Sequence, residues 1–185
     1  FTCSDFSFLV RRGVWRIEEA AAVVQFPGLT RDFVRFALAS YLAETLCDCI
    51  PSGLPAPEPL RLMLYALRTL EQGLRPPELV RAAFTLRLLA MTGFEPDLDG
   101  AGRCFLPSEG RFSGRGVELT AGAAAAMRHI VTAPLPRVFS FSVGEDSLAA
   151  LAEAAEKYAA LCWERGSRTL DYYKKMRMGA ALPKE

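Results

Sequence analysis

No Cys-x-x-Cys pair occurs in this sequence, and its thiols number five: Cys3, Cys47, Cys49, Cys104 and Cys162. An odd, scattered set in an apolar chain argues against a disulfide framework and for reduced thiols in a cytosolic protein. One histidine is present, His129. A lone imidazole beside Arg128 with no orienting acid at motif spacing does not make a catalytic dyad, and no Gly-rich nucleophile elbow accompanies Cys104 or Cys162. No GxxxxGK[ST] loop is present, so the chain is not expected to hydrolyse ATP. No apolar run reaches the length of a bilayer span, and no signal peptide is visible, so no membrane role is expected. Charge of neither sign dominates: 22 Lys+Arg against 21 Asp+Glu leave a net charge of +1. A nucleic-acid surface would have to come from local clustering. No internal repeat or low-complexity tract is found. The expectation is a non-enzymatic protein with no cofactor and no metal.

What is present is helix-forming sequence. At 185 residues and 51% hydrophobic, the chain is long enough for one well-filled core. The most apolar stretch, Pro76–Gly93, predicts one buried helix. Pro76 and Pro77 suit its first turn and Glu78 the positive end of its dipole, while Gly93 is placed to cap it. Leu79, Val80, Ala82, Ala83, Phe84, Leu86, Leu88, Leu89, Ala90 and Met91 leave almost no polar face, the mark of a helix at the centre of a bundle.

Around it the chain reads as follows. Phe6–Val10 and the run from Val14 read as two strands joined by a turn at Arg11–Gly13. They suit the tail of a small β domain (residues 1–27) whose start is expected to be absent, since the chain opens on Phe1 in mid-pattern. From residue 28 the period is helical. Thr30 predicts the cap of a helix over Arg31–Ile50, with Phe33, Ala37, Tyr41, Leu42, Thr45, Leu46 and Cys49 inward. A second helix over Glu58–Gln72 follows, with Leu60, Met63, Leu64, Leu67 and Leu70 inward and Gly73 ending it. Residues 94–119 have no helical period. Cys104–Leu106 and Arg111–Ser113 read as hairpin arms around a turn at Pro107–Gly110. Thr120 predicts the cap of an Ala-rich helix to about Thr132, and Arg137–Val143 an extended link. A helix over Glu145–Glu164 buries Leu148, Leu151, Ala155, Tyr158 and Leu161 or Cys162. A last amphipathic helix covers about Ser167–Met178.

This order of elements, with PELVRAAFTLRLLAMTGFEPDLD at its centre and RGSRTLDYYKKM at its close, resembles the RecO family of bacterial recombination mediators. The family pattern Leu-Leu-x-x-x-Gly-aromatic-x-Pro-x-Leu falls on Leu88, Leu89, Gly93, Phe94, Pro96 and Leu98. The resemblance implies a mostly α fold: a helical bundle domain preceded by the C-terminal part of a small β-barrel, an OB-fold. It implies a cytoplasmic DNA-repair protein that binds single- and double-stranded DNA, anneals strands and helps load RecA together with RecR. It also implies contact with the C-terminal tail of the single-strand binding protein. Many relatives carry a zinc finger after the central helix. The matching positions here are Ala101, Cys104, Glu118 and Ala121, so three of four thiolates are missing and a short hairpin is expected in the finger's place, held by Phe105, Leu106 and Phe112.

Three sets of candidate residues follow. Arg11, Arg12 and Arg16 flank the first turn, where an OB-fold presents a basic groove, with Phe6, Phe8 and Trp15 as either stacking platforms or barrel core. Arg165, Arg168, Lys174, Lys175 and Arg177 form the densest basic run, beside Tyr172 and Tyr173, and read as a phosphate-tracking surface or as a solvated face. Arg81 and Arg87 are the polar exceptions on the central helix, about 120° apart around it. Either could stand at the lip of a groove for an acidic tail peptide, Arg81 first, or cover apolar surface as a snorkelling side chain. The alternative function is a helical peptide- or protein-interaction module without DNA binding.

Overall fold

The structure, a computed structural model, describes residues 1–100, 102–164 and 166–180. Strands β1 (Thr2–Arg11) and β2 (Val14–Gln25) form one antiparallel ribbon. Arg12 and Gly13 turn it with φ of 51° and 77°. Two consecutive positive φ values are the geometry that matches the twist of a tight hairpin. Register shifts at Cys3/Ser4 and Ser7/Phe8 let β2 carry two extra residues. Phe26 ends the ribbon and is buried, its N–H donating to the Phe1 carbonyl at 3.1 Å. The Phe1 ring meets Phe36 edge-on at 5.5 Å, which ties the ribbon's base to the helices.

A 3-10 turn, Pro27–Arg31, leads to helix α1 (Phe33–Cys49). Its cap is Asp32, whose carboxylate accepts from the N–H groups of Val34 and Arg35 at 2.9 and 3.1 Å. Thr30, the cap expected from sequence, lies inside the 3-10 turn and donates to the Pro27 carbonyl instead. Ala37, Tyr41, Leu42 and Thr45 are buried as expected, but Phe33, the first residue of the helix, is 77% exposed, and Leu38 and Ala39 also take places in the core. Helix α2 (Pro57–Gln72) ends at Gly73 in the left-handed region, as expected, but Leu60 faces out and Leu62 and Ala66 face in.

Helix α3 (Pro77–Met91) is the centre of the molecule. Every residue from Leu79 to Leu89 except Arg87 is buried, and α2, α4, α5 and α1 pack around it. Gly93, at φ 93°, lets the chain reverse so that Phe94 N–H reaches the Leu89 carbonyl at 2.9 Å. The next segment contains β3 (Cys104–Leu106) and β4 (Arg111–Ser113), the two expected arms, and a third strand, β5 (Val117–Glu118). The order is β4-β3-β5. Phe105 is fully buried between Phe112 and Tyr158, and Arg128 lies 4.7 Å above the Phe112 ring while donating to the Leu98 and Gly100 carbonyls. Leu106 is half-buried.

Helix α4 (Ala121–Thr132) is capped by Thr120, whose hydroxyl accepts from Ala123 N–H at 3.0 Å. The link to helix α5 (Glu145–Trp163) is not extended throughout: Leu135–Arg137 is a 3-10 turn, and Val138 and Phe139 are buried. In α5, Leu151, Ala155 and Tyr158 are buried as expected, while Leu161 is exposed and Leu148 half-buried. Helix α6 (Arg168–Ala180) closes the bundle against α1. Among the described residues no helix is long and apolar enough to cross a membrane, and no three His, Cys, Asp or Glu side chains converge as metal ligands. Among the described residues none of the five cysteines is joined in a disulfide.

Candidate nucleic-acid interface

The register of the ribbon sorts its side chains onto two faces. Val10 stands opposite Trp15, Phe8 opposite Ile17 and Phe6 opposite Ala20, so these six share one face. Leu9 opposite Arg16 and Arg11 opposite Val14 share the other. The first face is aromatic: Phe8 meets Phe6 at 6.0 Å and Trp15 edge-on at 5.8 Å. It is also open, Trp15 being 70% exposed. On the second face Arg11 and Arg16 gather with the turn residue Arg12 and Val14 around one concavity. All three arginines are exposed, and among the described residues none is drawn into an ion pair. Three unneutralised guanidiniums at the end of a stiff ribbon form a ready anion-binding surface.

The basic run at the C-terminal end divides differently. Arg165 lies outside the described residues. Arg168, Tyr172 and Lys175 are exposed and spaced i, i+4, i+7, one outward stripe of α6. Tyr173, Lys174 and Arg177 point the other way, into the joint between α6, α3 and α5. The Tyr173 ring is fully buried, and its hydroxyl donates to Glu78 at 2.8 Å. Arg177 reaches the same carboxylate oxygen at 2.8 Å, and Lys174 pairs with Glu156. The two lysines and Arg177 are therefore not one phosphate-tracking row.

Arg81 completes this joint. Its guanidinium meets Glu78 at 2.8 and 2.9 Å and Glu156 at 3.1 Å, and the residue is 5% exposed. It stands inside the bundle as the shared partner of two carboxylates, not at the lip of a groove. Burial would raise the Glu78 pKa; the Arg81 guanidinium, the Tyr173 hydroxyl and Arg177 outweigh it and hold the carboxyl below its ordinary value. Burial alone would lower the Arg81 pKa, but Glu78 and Glu156 raise it, while burial and the adjacent Glu78 charge push the Tyr173 phenol up. Arg87 is half-buried and donates to the Ile130 and Val131 carbonyls, capping the C-terminal end of α4, with its Nε buried and without a partner. The Arg81 guanidinium is committed to two carboxylates, and Arg87 commits its Nη1 to the end of α4. His129 is structural: its Nε2 meets the Arg137 carbonyl at 2.9 Å and its ring packs on Phe141.

The sequence had one clue to the joint, Glu78 and Arg81 at i, i+3 near the start of a buried helix. Glu156 gave none, because its role depends on how α5 crosses α3. The comparisons with known proteins agree with the bundle. The family model described as "Recombination protein O C terminal" matches residues 30–170. This chain belongs to the RecO family. Among curated relatives, the "DNA repair protein RecO" of Acetivibrio thermocellus is 24% identical over 188 residues, covering 92% of this chain and 75% of that protein. That of Streptomyces coelicolor is 32% identical over 111 residues, 59% of this chain and 45% of the relative. That of Cutibacterium acnes is 38% identical over 84 residues, 43% of this chain and 34% of the relative. The RecO match contains the Glu78–Arg81–Glu156 joint, whereas the ribbon arginines and Lys174, Lys175 and Arg177 lie outside it.

Proposed function

We propose that this RecO-family chain acts in bacterial DNA repair and recombination as a DNA-binding mediator without catalysis. On this reading it binds single- and double-stranded DNA, anneals strands, and helps RecA load, together with RecR, on DNA coated by the single-strand binding protein. The observation that carries the proposal is the pairing of a RecO bundle with three exposed, unneutralised arginines at the tip of the β1–β2 ribbon. The ribbon is then the closing hairpin of an OB-fold. Its aromatic face is the inner, core-forming one, and Arg11, Arg12 and Arg16 are on its DNA face. Arg168 and Lys175, with Tyr172 between them, provide a second basic stripe, while Lys174 and Arg177 serve chiefly to hold α6 in place. The small β3–β5 sheet occupies the position of the zinc finger of relatives, with Phe105 and Phe112 replacing metal–thiolate bonds as its anchor.

The test is fluorescence anisotropy of a labelled single-stranded oligonucleotide over a salt series. Each phosphate contact to a single strand adds about 0.7 to the slope of log affinity against log salt. Replacing Arg11, Arg12 and Arg16 with alanine should lower the slope by about 2 and weaken binding to all sequences alike. An unchanged slope removes the ribbon from the interface. Absence of binding by the wild-type chain at low salt rejects the DNA-binding reading in favour of a protein-interaction module, for which the open aromatic face of the ribbon is the surface.

A further inference from the structure

At the other end of the ribbon is a cavity of about 260 Å3, lined by Val24 and Phe26 from the ribbon's base and Arg61, Leu64, Tyr65 and Arg68 from α2. The four α2 residues recur at i, i+3, i+4 and i+7, which places them on one helix face with an arginine at each end. Leu64 and Tyr65 are half-buried and Phe26 is buried, so the floor is apolar; Arg61 and Arg68 are exposed at its two edges. Arg61 pairs with Glu58 at 2.9 Å, a solvent-exposed contact that costs little to exchange. Arg68 is in no ion pair among the described residues. An apolar, aromatic floor between two guanidiniums suits a ligand with a flat apolar body carried on an anionic backbone.

We propose that this groove is a second contact site for single-stranded DNA, with a base seated beside Tyr65 and flanking phosphates held by Arg61 and Arg68. The inference rests on the DNA-binding reading above and adds a site to it. Continuity with the ribbon favours a nucleic acid over an acidic peptide. Val24, which lines the groove, belongs to the same two-stranded ribbon that carries Arg11, Arg12 and Arg16 at its far end. Ten residues of β1 span about 33 Å. At the ~3.4 Å of backbone per nucleotide seen in a duplex, about ten nucleotides join the two sites. One strand lying along the ribbon engages both.

The experiment measures the affinity of the whole chain for a 15-nucleotide and a 4-nucleotide single strand over a salt series, in four proteins: wild type, R61A/R68A, Y65L, and a charge-matched control, R103A/R115A, in which two exposed arginines of the β3–β5 region are removed. On the 15-mer, R61A/R68A should lower the salt slope by about 1.4, two contacts at about 0.7 each. Y65L should weaken binding about tenfold without changing the slope, because stacking releases no counterions. The 4-mer, too short to reach from groove to tip, should bind far more weakly than the 15-mer, and R61A/R68A should narrow that gap. A 15-mer slope and affinity unchanged in R61A/R68A overturns the inference while leaving the DNA-binding reading intact. So does an equal loss in the control, which would be an effect of net charge. Loss of binding in R61A/R68A only for a labelled peptide of aspartates and phenylalanine makes the groove a peptide site and overturns it too. Failure of wild type to bind either strand overturns both.

Discussion

The joint beneath α6 makes a quantitative prediction about Glu78→Gln. The Glu78 carboxylate is 15% exposed and accepts from four donors: two guanidinium nitrogens of Arg81, the Tyr173 hydroxyl and one nitrogen of Arg177. Glutamine has the same shape but no charge, and its NH2 group must face donors on one side. Two charge-assisted hydrogen bonds are lost, each with a net value of roughly 1.5 kcal/mol. Arg81 keeps only the partly exposed Glu156 as a counter-charge. Breaking a fully buried ion pair costs about 3–5 kcal/mol. With Glu156 still present and Arg177 half-exposed, about 3 kcal/mol is expected. Arg177→Ala, which removes only the solvated member, should cost under ~1 kcal/mol. Urea denaturation at pH 7, followed by Trp163 fluorescence in a Trp15→Phe background, measures both. The pH dependence gives an independent check. The folded pKa of Glu78 lies below its ordinary value of 4.5, so the stabilisation is complete above that pH and disappears as pH falls through the lower folded value. The gap between wild type and E78Q should therefore close on acidification below pH 4.5. A gap under 1 kcal/mol at pH 7, or one that stays constant down to pH 3, would refute the account of the joint.

Two further predictions concern local structure. Asp32→Ala should cost about 1 kcal/mol by removing the α1 cap, whereas Thr30→Ala should change stability by no more than about 0.5 kcal/mol; thermal melts of the two variants decide which residue starts the helix. Gly116→Ala should destabilise by about 3 kcal/mol or more, because a Cβ there would lie 2.2 Å from the Phe105 carbonyl oxygen on a backbone with φ of 122°. Gly53→Ala, also at positive φ but with open space around it, should cost about 1 kcal/mol by the same melts.

Much of the fold was legible because it follows from local rules. Pro77 at the start of α3, Gly73 after α2 and Thr120 before α4 act on the backbone beside them, and each is found in its expected place. The apolar run from Leu79 to Leu89 could only be a central helix, since no single partner could cover all its sides. The hairpin arms of β3 and β4 followed from alternation around a turn at Pro107–Gly110. The misplaced features depended on choices between neighbours. Asp32 and Thr30 are both good caps, and the fold uses Asp32, which leaves Phe33 as the first, exposed residue of the helix.

The candidate site shows where local rules end. Sequence determined that basic residues cluster near Arg12 and near Lys175, and that Arg81 and Arg87 interrupt an apolar helix. It could not determine which of those charges are free. Tertiary packing decided that: the approach of α5 and α6 to the first turn of α3 places Glu78 and Glu156 against Arg81, Lys174 and Arg177, while Arg11, Arg12 and Arg16 meet no acid among the described residues. A charge is available to a ligand only if no partner brought by the fold has neutralised it, and those partners lie up to 99 residues away in the chain, as Arg177 does from Glu78.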